Sequence, residues 1–483
     1  MSLRRAFYIS FGSSGGNFLL SFGSNIILSR LLLPSEIGIF SVAVAMIVIP
    51  QALREFGVGR YLIQEQDLTD DKIRTVFGVG LLLGWSLAAL IFFSRGAMAE
   101  FYSEPRIEGI FALLSINFLL VPFGQSAGAI LRREQNYSRL ATISLGTSLI
   151  STCISIAFAW LGFGPMALVY GALANTGFST VFLLLSKPGH ISLLPSLREW
   201  RSVCRFGGIT SLATVIVQVG VQAPELLLGR FLGFTSVGLY SRGLGIARIV
   251  DDFLGNAMTW VTGAELAVLN RSARDLADLV LKTTDYILII GWPILIFLSL
   301  KAEAIIWLLY GEAWLPAVPL AQALCLARGL HLIVTQASAV YEGTGAINLM
   351  LRNEIIVQII SVGLLFIGAQ YSLLMVVWLR VLFGMVVVVV HFSVFRRYAD
   401  IGMRRMFFAI WRSIAVALGF GGALGGMIAL EPAGMLHSPL LLAGEAIIMG
   451  IIYLVLVVII RHPIAAELLT TARTLLPKGW NPR

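Results

Sequence analysis

Charge is scarce in this sequence. Of 483 residues only 13% are Asp, Glu, Lys or Arg, against about 25% in an ordinary soluble domain. That leaves too little polar surface to cover a soluble core of this size. Cysteine is rarer still. Cys153, Cys204 and Cys325 stand singly in or beside apolar segments, which excludes a disulfide framework and a zinc-ligand spacing. The five histidines are scattered, so no His–Glu–x–x–His pair forms and no metal or other cofactor is expected. Phosphate loops and dinucleotide fingerprints are missing too. So is any long hydrophilic loop: "KPGHISLLPSLREW", starting at Lys187, is the longest and is too short to fold by itself. The Gly-Gln-Ser-Ala-Gly run at 124–128 has the spacing of a nucleophile elbow. That motif needs a strand–turn–helix, and here it follows Pro122 inside an apolar run. A catalytic Ser126 is therefore not expected. Gly12–Gly16 and Gly80–Gly84 read as helix-packing faces.

What the chain has is apolar length. It is 58% hydrophobic, with 48 glycines and a mean hydropathy of +0.87. Runs of about 20 residues, enough to cross a bilayer, recur throughout. They place helices at roughly 6–31, 36–58, 76–98, 107–130, 141–162, 164–186, 202–228, 234–258, 277–300, 314–341, 350–370, 373–395, 407–430 and 438–460. The expectation is an all-α polytopic membrane protein of about 14 transmembrane helices. The start, "MSLRRAFYIS", is basic, leads into an apolar stretch and lacks a small-residue cleavage site, so it reads as an uncleaved first helix.

A net charge of +9 raises nucleic acid as a partner, but the positions of the charges exclude it. With the N-terminus in the cytoplasm, 24 of the 35 Lys and Arg residues fall in cytoplasmic segments. Only Arg30, Arg95, Arg106, Arg230 and Lys301 fall outside, and six lie within helices. That asymmetry is the positive-inside pattern, and it places both termini in the cytoplasm.

Residues 29–41, "SRLLLPSEIGIFS", align without a gap on 229–241, "GRFLGFTSVGLYS". Arg30 falls on Arg230 and Gly38 on Gly238. An interval of 200 residues spans six helices, which makes a parallel repeat. The expected division is a six-helix lobe over 1–190, a second over 200–400, and two extra helices with a tail over 401–483. Arg30 and Arg230, each closing a helix, are expected to be structural.

Charges within helices are expensive at the bilayer centre, so they mark wet cavities or partners. Helix eight carries Arg242, Arg248, Asp251 and Asp252, the last three at i, i+3 and i+4. Helix seven adds Glu225 beside Gln218 and Gln222. Helix one adds Asn17 and Asn25, and helix two adds Arg54 and Glu55. The repeat makes these the first pair of helices in each lobe, expected to line one cleft. Arg248 paired with an aspartate would simply hold the bundle. Arg242 has no acidic residue at helical spacing and is the better ligand candidate. Arg328, Arg380 and Arg412 read as structural, since long side chains snorkel. A cavity lined by arginines suits an anion, whose phosphate oxygens the guanidinium fork binds in pairs.

"LSRLLLPSEIGIFSVA", "EFGVGRYLIQ" and "IIWLLYGEAWLPAVPLAQAL" resemble segments of the Wzx-type polysaccharide flippases, in particular the WzxC-like branch for lipopolysaccharide and exopolysaccharide. That family sits in the superfamily of the multidrug and toxin extrusion transporters and the lipid II flippases. The resemblance implies two six-helix lobes around a V-shaped cavity working by alternating access, with helices one and eight as a portal for a prenyl tail. The implied substrate is an undecaprenyl-diphosphate-linked oligosaccharide, moved to the periplasmic leaflet of a bacterial inner membrane. Membrane lipids and polysaccharide polymerase or export machinery are the implied partners. Cationic side chains on the first, second and eighth helices of related flippases put Arg54, Arg242 and Arg248 at suitable places. A drug or cation antiporter of the same superfamily would need an acidic site in the first lobe, where Glu36 and Glu55 stand near helix ends. A polymerase or glycosyltransferase would need a large external loop. Flipping itself breaks no covalent bond, in line with the missing catalytic motifs.

Overall fold

In a computed structural model, residues 3–55, 61–62, 65, 69–186, 194–266, 273–431 and 438–465 are described. Within helices, the side chains of Glu55 and Asp252 lie outside the described residues. The described residues form sixteen α-helices. These are α1 (Leu3–Leu31), α2 (Pro34–Glu55), α3 (Asp70–Tyr102), α4 (Arg106–Arg133), α5 (Tyr137–Trp160), α6 (Pro165–Leu185), α7 (Trp200–Phe231) and α8 (Gly233–Leu266). They continue with α9 (Ala273–Leu300), α10 (Ala302–Tyr310), α11 (Val318–Leu332), α12 (Ala337–Gly343), α13 (Ile347–Ala369), α14 (Leu373–Tyr398), α15 (Met403–Leu430) and α16 (Pro439–Ile459). A 3₁₀ turn, Glu312–Ala317, precedes α11. Eleven spans among the described residues are long and apolar enough to cross a membrane. With the long helices α1, α7 and α8 the count is compatible with fourteen.

Short polar signals set the helix ends. Thr69 accepts from the Lys72 N–H at the start of α3, with Asp70 and Asp71 in its first turn. Ser372 and Ser438 do the same for α14 and α16, each satisfying a backbone donor the helix leaves open. Ser103 ends α3 in the left-handed conformation. Glu36 Oε2 accepts the Leu33 N–H at 2.9 Å, so this acid caps the start of α2.

The fold departs from the sequence expectation at the tenth span. A single helix over 314–341 is expected. The chain instead makes the 3₁₀ turn, then α11, breaks at 333–336, and resumes as α12. A nine-residue helix, α10, precedes it, too short to register as a span.

By proximity the chain divides into two compact units, Met1–Ser241 and Arg242–Arg483, the boundary falling inside α8.

In the first unit Gly16 and Gly84 sit on packing faces, whereas Gly12 and Gly80 do not make close contacts. A Cβ on Gly84 would meet the Phe118 carbonyl oxygen at 2.8 Å, and one on Gly124 would meet Thr180 Cα at 3.2 Å. The Gly-Gln-Ser-Ala-Gly run therefore lies in the middle of α4, against α6, with Ser126 buried. Gly16 sits against Leu145, while Gly12 faces open space. The repeated segments meet here as well. The described geometry puts Gly38 against the Phe234 carbonyl, and Gly238 against the Pro34 carbonyl. Position 34 is the repeat mate of 234, so the contact is reciprocal. Arg30 and Arg230 each stand in the last turn of α1 and α7, where a cation complements the helix dipole. Both are exposed, and the Arg230 guanidinium lies 5.1 Å from the Phe101 ring centre.

In the second unit α9 is fastened to α15 and to the segment that follows α16. Ser413 Oγ donates to Asp285 Oδ1 at 2.6 Å, and His462 Nε2 lies 2.9 Å from Asp285 Oδ2. Nδ1 of His462 accepts the Ile464 N–H, so the ring donates from Nε2. The three residue types match a hydrolytic triad. The serine proton, however, goes to the aspartate, and the group is buried, so it acts as a fastening.

Candidate functional site

The sequence-derived site residues fall in both units. In the first, Arg54 is buried in the last turn of α2, below the kink at Pro50. Its guanidinium stands 5.3 Å from the Phe118 ring centre on α4. Glu225 is half-buried on α7, directly after Pro224. The neighbouring backbone is tied to α3 by Tyr102, whose hydroxyl donates to the Leu226 carbonyl at 3.3 Å. Asn25 is exposed on α1, and its carbonyl accepts from Ser29 Oγ.

In the second unit, Arg242 is half-buried on α8 and its guanidinium lies 5.6 Å from the ring centres of both Tyr310 and Trp314. A cation within about 6 Å of an aromatic face is attracted by the ring quadrupole. Trp314 is fully buried, Tyr310 nearly so, and their centres are 6.1 Å apart. The chain between them explains the arrangement. Gly311 adopts φ +94°, a conformation open mainly to glycine, and ends α10 with its N–H on the Ile306 and Trp307 carbonyls. That turn sets both rings beside one cation. It also accounts for the Leu-Tyr-Gly and following Trp of the third family-like segment. A Cβ on Gly243 would meet the Ala321 nitrogen at 3.1 Å, so α8 packs close to α11 at this level.

Three residues further along α8 than Arg248, Asp251 forms an ion pair across to α11. Arg328 Nε donates to Asp251 Oδ1 at 2.7 Å, and Arg328 Nη1 lies 2.8 Å from His331 Nδ1. The guanidinium only donates, so His331 Nδ1 is the acceptor. Arg328 is thus structural, as read from the sequence, and His331 is its polar partner one turn on. Arg248 is exposed on α8, and the Asp252 side chain lies outside the described residues. Arg380 donates to Ser361 Oγ at 3.0 Å, and Arg412 stands 5.7 Å from the Trp411 ring.

The structure therefore brings Arg242 together with Tyr310 and Trp314, and Asp251 with Arg328. Sequence spacing did not bring out either set, because more than sixty residues separate the partners. A signal existed for the second: opposite charges on two otherwise apolar helices favour pairing, since each is costly alone. The Asp251 and Arg328 side chains are only 33% and 26% exposed. Asp251→Asn is expected to lower stability by about 1–3 kcal/mol. Adding Arg328→Gln should recover part of that loss, read as a melting midpoint in detergent. Strict additivity of the two would show that the pair is not coupled.

Eleven described helical spans of membrane length and apolar composition define a polytopic membrane protein. Residues 27–319 match the family described as "Polysaccharide biosynthesis protein", more than half of the chain, and the chain belongs to that family. It is 21% identical over 457 residues to the lipopolysaccharide biosynthesis protein WzxC of Escherichia coli (strain K12), covering 91% of this chain and 90% of that one. It is 23% identical over 477 residues to the succinoglycan biosynthesis transport protein ExoT of Rhizobium meliloti (strain 1021), covering 97% and 95%. Among solved structures, its fold is that of the lipid II flippase MurJ in an inward closed conformation. The TM-score is 0.72 at 12% identity, over 96% of this chain and 99% of that one.

Proposed function

We propose that this protein is a flippase for undecaprenyl-diphosphate-linked oligosaccharide repeat units, moving them from the cytoplasmic to the periplasmic leaflet of a bacterial inner membrane by alternating access. The family supports a role in making surface polysaccharide. Arg242 carries the reading to its substrate: a cation on a long helix, held against Tyr310 and Trp314, and a charge within a membrane helix needs a reason to exist. A diphosphate and its sugars cannot cross about 30 Å of hydrocarbon unaided. A polar path carries the head group while the prenyl tail stays in lipid. The six-helix division at 1–190 and 200–400, with 401–483 added, belongs to the same proposal, as do substrate contacts by Arg54, Glu225 and Asn25 in the first unit and by Arg242 and Arg248 in the second. No covalent bond changes in this reaction. Of the two acids near helix ends that an antiporter could use, Glu36 is engaged in capping α2, and the Glu55 side chain lies outside the described residues.

Proteoliposomes holding the purified protein and a radiolabelled lipid-linked oligosaccharide test the proposal. Label moved to the opposite leaflet is the expected result. Elongation of the glycan would mean a polymerase, and a drug or cation gradient without glycan movement an antiporter. The proposed topology has its own test. Alkaline phosphatase fused after Arg483 is expected to be inactive, and a fluorescent protein there to glow. An active phosphatase would place the C-terminus outside.

A further inference from the structure

Where α9 meets α10, a lysine stands between two glutamates. Lys301 Nζ donates to Glu431 Oε1 at 2.6 Å and to Glu445 Oε1 at 2.7 Å. Lys301 links α9 to α10, Glu431 follows the last residue of α15, and Glu445 lies in the second turn of α16. The side chains of Lys301, Glu431 and Glu445 are only 4%, 9% and 4% exposed. Glu431 Oε2 is also buried and has no hydrogen-bond partner among the described residues. Both carboxyl groups bond the same ammonium nitrogen, which sets them side by side.

The charges do not balance. One ammonium and two carboxylates carry a net −1 in a place almost without water, and like charges this close do not both ionise cheaply. Deprotonating the lysine would worsen the balance. A metal ion has no set of ligands here, since no group of three His, Cys, Asp or Glu occurs among the described residues, and the ammonium occupies the centre. One proton on a carboxyl restores neutrality, where Glu431 Oε2 is buried without a hydrogen-bond partner among the described residues. We propose that Lys301, Glu431 and Glu445 form a proton-binding site, holding one proton between the two carboxyls while α15 and α16 are seated on the end of α9. Other ionisable groups do not replace that proton. Glu303 on α10 is exposed. Tyr453, two turns along α16, packs with Phe297 in the apolar cluster around Leu424. His437 lies outside the described residues.

The sign of the linkage follows. The folded site holds a proton that an ordinary carboxyl of the unfolded chain has lost at neutral pH. Stability is therefore lost as pH rises through the value at which the folded site releases it. Release leaves a buried negative charge where α15 and α16 meet α9, so their attachment is sensitive to alkali.

The test is infrared difference spectroscopy of the full-length protein in lipid nanodiscs, with heavy-carbon glutamate labelling. A protonated-carboxyl band is expected at neutral pH. It should shift with the label, vanish in alkali, and be missing from Glu431→Gln and from Glu445→Gln. Glutamine mimics a protonated glutamate, so both variants should melt near the wild-type midpoint, and the fall in midpoint on going to alkaline buffer should flatten. If a glutamine variant fails to fold, Glu445→Asp is used, and the band must then change in frequency or in its response to the label. Lack of a labelled band in the wild type, or a band unaltered by all of these substitutions, would overturn the site. None of these readouts depends on transport, so the result stands apart from the flippase proposal.

Discussion

Gly38→Ala is expected to destabilise the protein by more than about 3 kcal/mol, beyond the usual range for overpacking. A Cβ at Gly38 would run into the carbonyl of Phe234, and one at Gly238 into the carbonyl of Pro34. Both obstacles are backbone, which cannot turn aside as a side chain can. Room for the methyl comes only from moving α2 away from the start of α8. The surroundings do not permit that cheaply: Ile37, Ile39, Val42, Val237 and Tyr240 are all buried beside the contact. Total stabilities are on the order of 5–15 kcal/mol, so most of the folded population at the growth temperature is at risk. The expected reading is a lower melting midpoint in detergent and low membrane abundance. Gly12→Ala and Gly422→Ala, where an added Cβ meets nothing within 4 Å, serve as controls and should change little. Gly238→Ala should resemble Gly38→Ala, and the double variant should cost less than the two together, because one displacement of α2 makes room for both methyls. A wild-type midpoint for Gly38→Ala would mean that these helices are not in contact at the glycines.

Arg242→Ala is expected to lower polysaccharide export at least about 100-fold at matched membrane abundance. Hydrogen bonds to a charged group contribute about 1.5–3 kcal/mol each, and a guanidinium makes two to one phosphate. The repeat mate of Arg242 is Val42, which is fully buried and against which Gly229 packs. The same place in the fold is thus filled by an ordinary core residue in the first copy, so helix packing alone does not call for a cation at this position. Arg242→Lys should restore export only in part, since a point charge replaces a planar fork. Tyr310→Phe should be milder than Trp314→Ala, which empties a fully buried volume and costs about 3–5 kcal/mol of stability as well. Wild-type export by Arg242→Ala, in cells with equal amounts of protein, would remove this residue from the substrate path.

The hydropathy runs placed nearly every long helix, because a bilayer imposes a minimum apolar length that local composition shows directly. They missed α10 and the break at 333–336. Nine residues are too few to register as a span, and a break within an apolar stretch leaves hydropathy unchanged. The exact repeat of Arg30 and Gly38 at Arg230 and Gly238 was likewise legible, since it needs only alignment of the chain with itself. Arg242 and Asp251 stood out because charge within an apolar helix is rare. Their partners did not: Tyr310, Trp314 and Arg328 come within reach only when α10 and α11 fold back on α8.

By itself, then, the sequence determined that this is a helical membrane protein, which helices carry its charges, and that one segment recurs after 200 residues. Those properties are local or periodic along the chain. Tertiary structure alone decided that Gly38 and Gly238 face each other's helices, that two aromatic rings hold Arg242, and that Lys301 is shared by Glu431 and Glu445. Each of these joins residues far apart in the chain, and the distances that decide hydrogen bonds, charge balance and steric overlap exist only once the helices have packed.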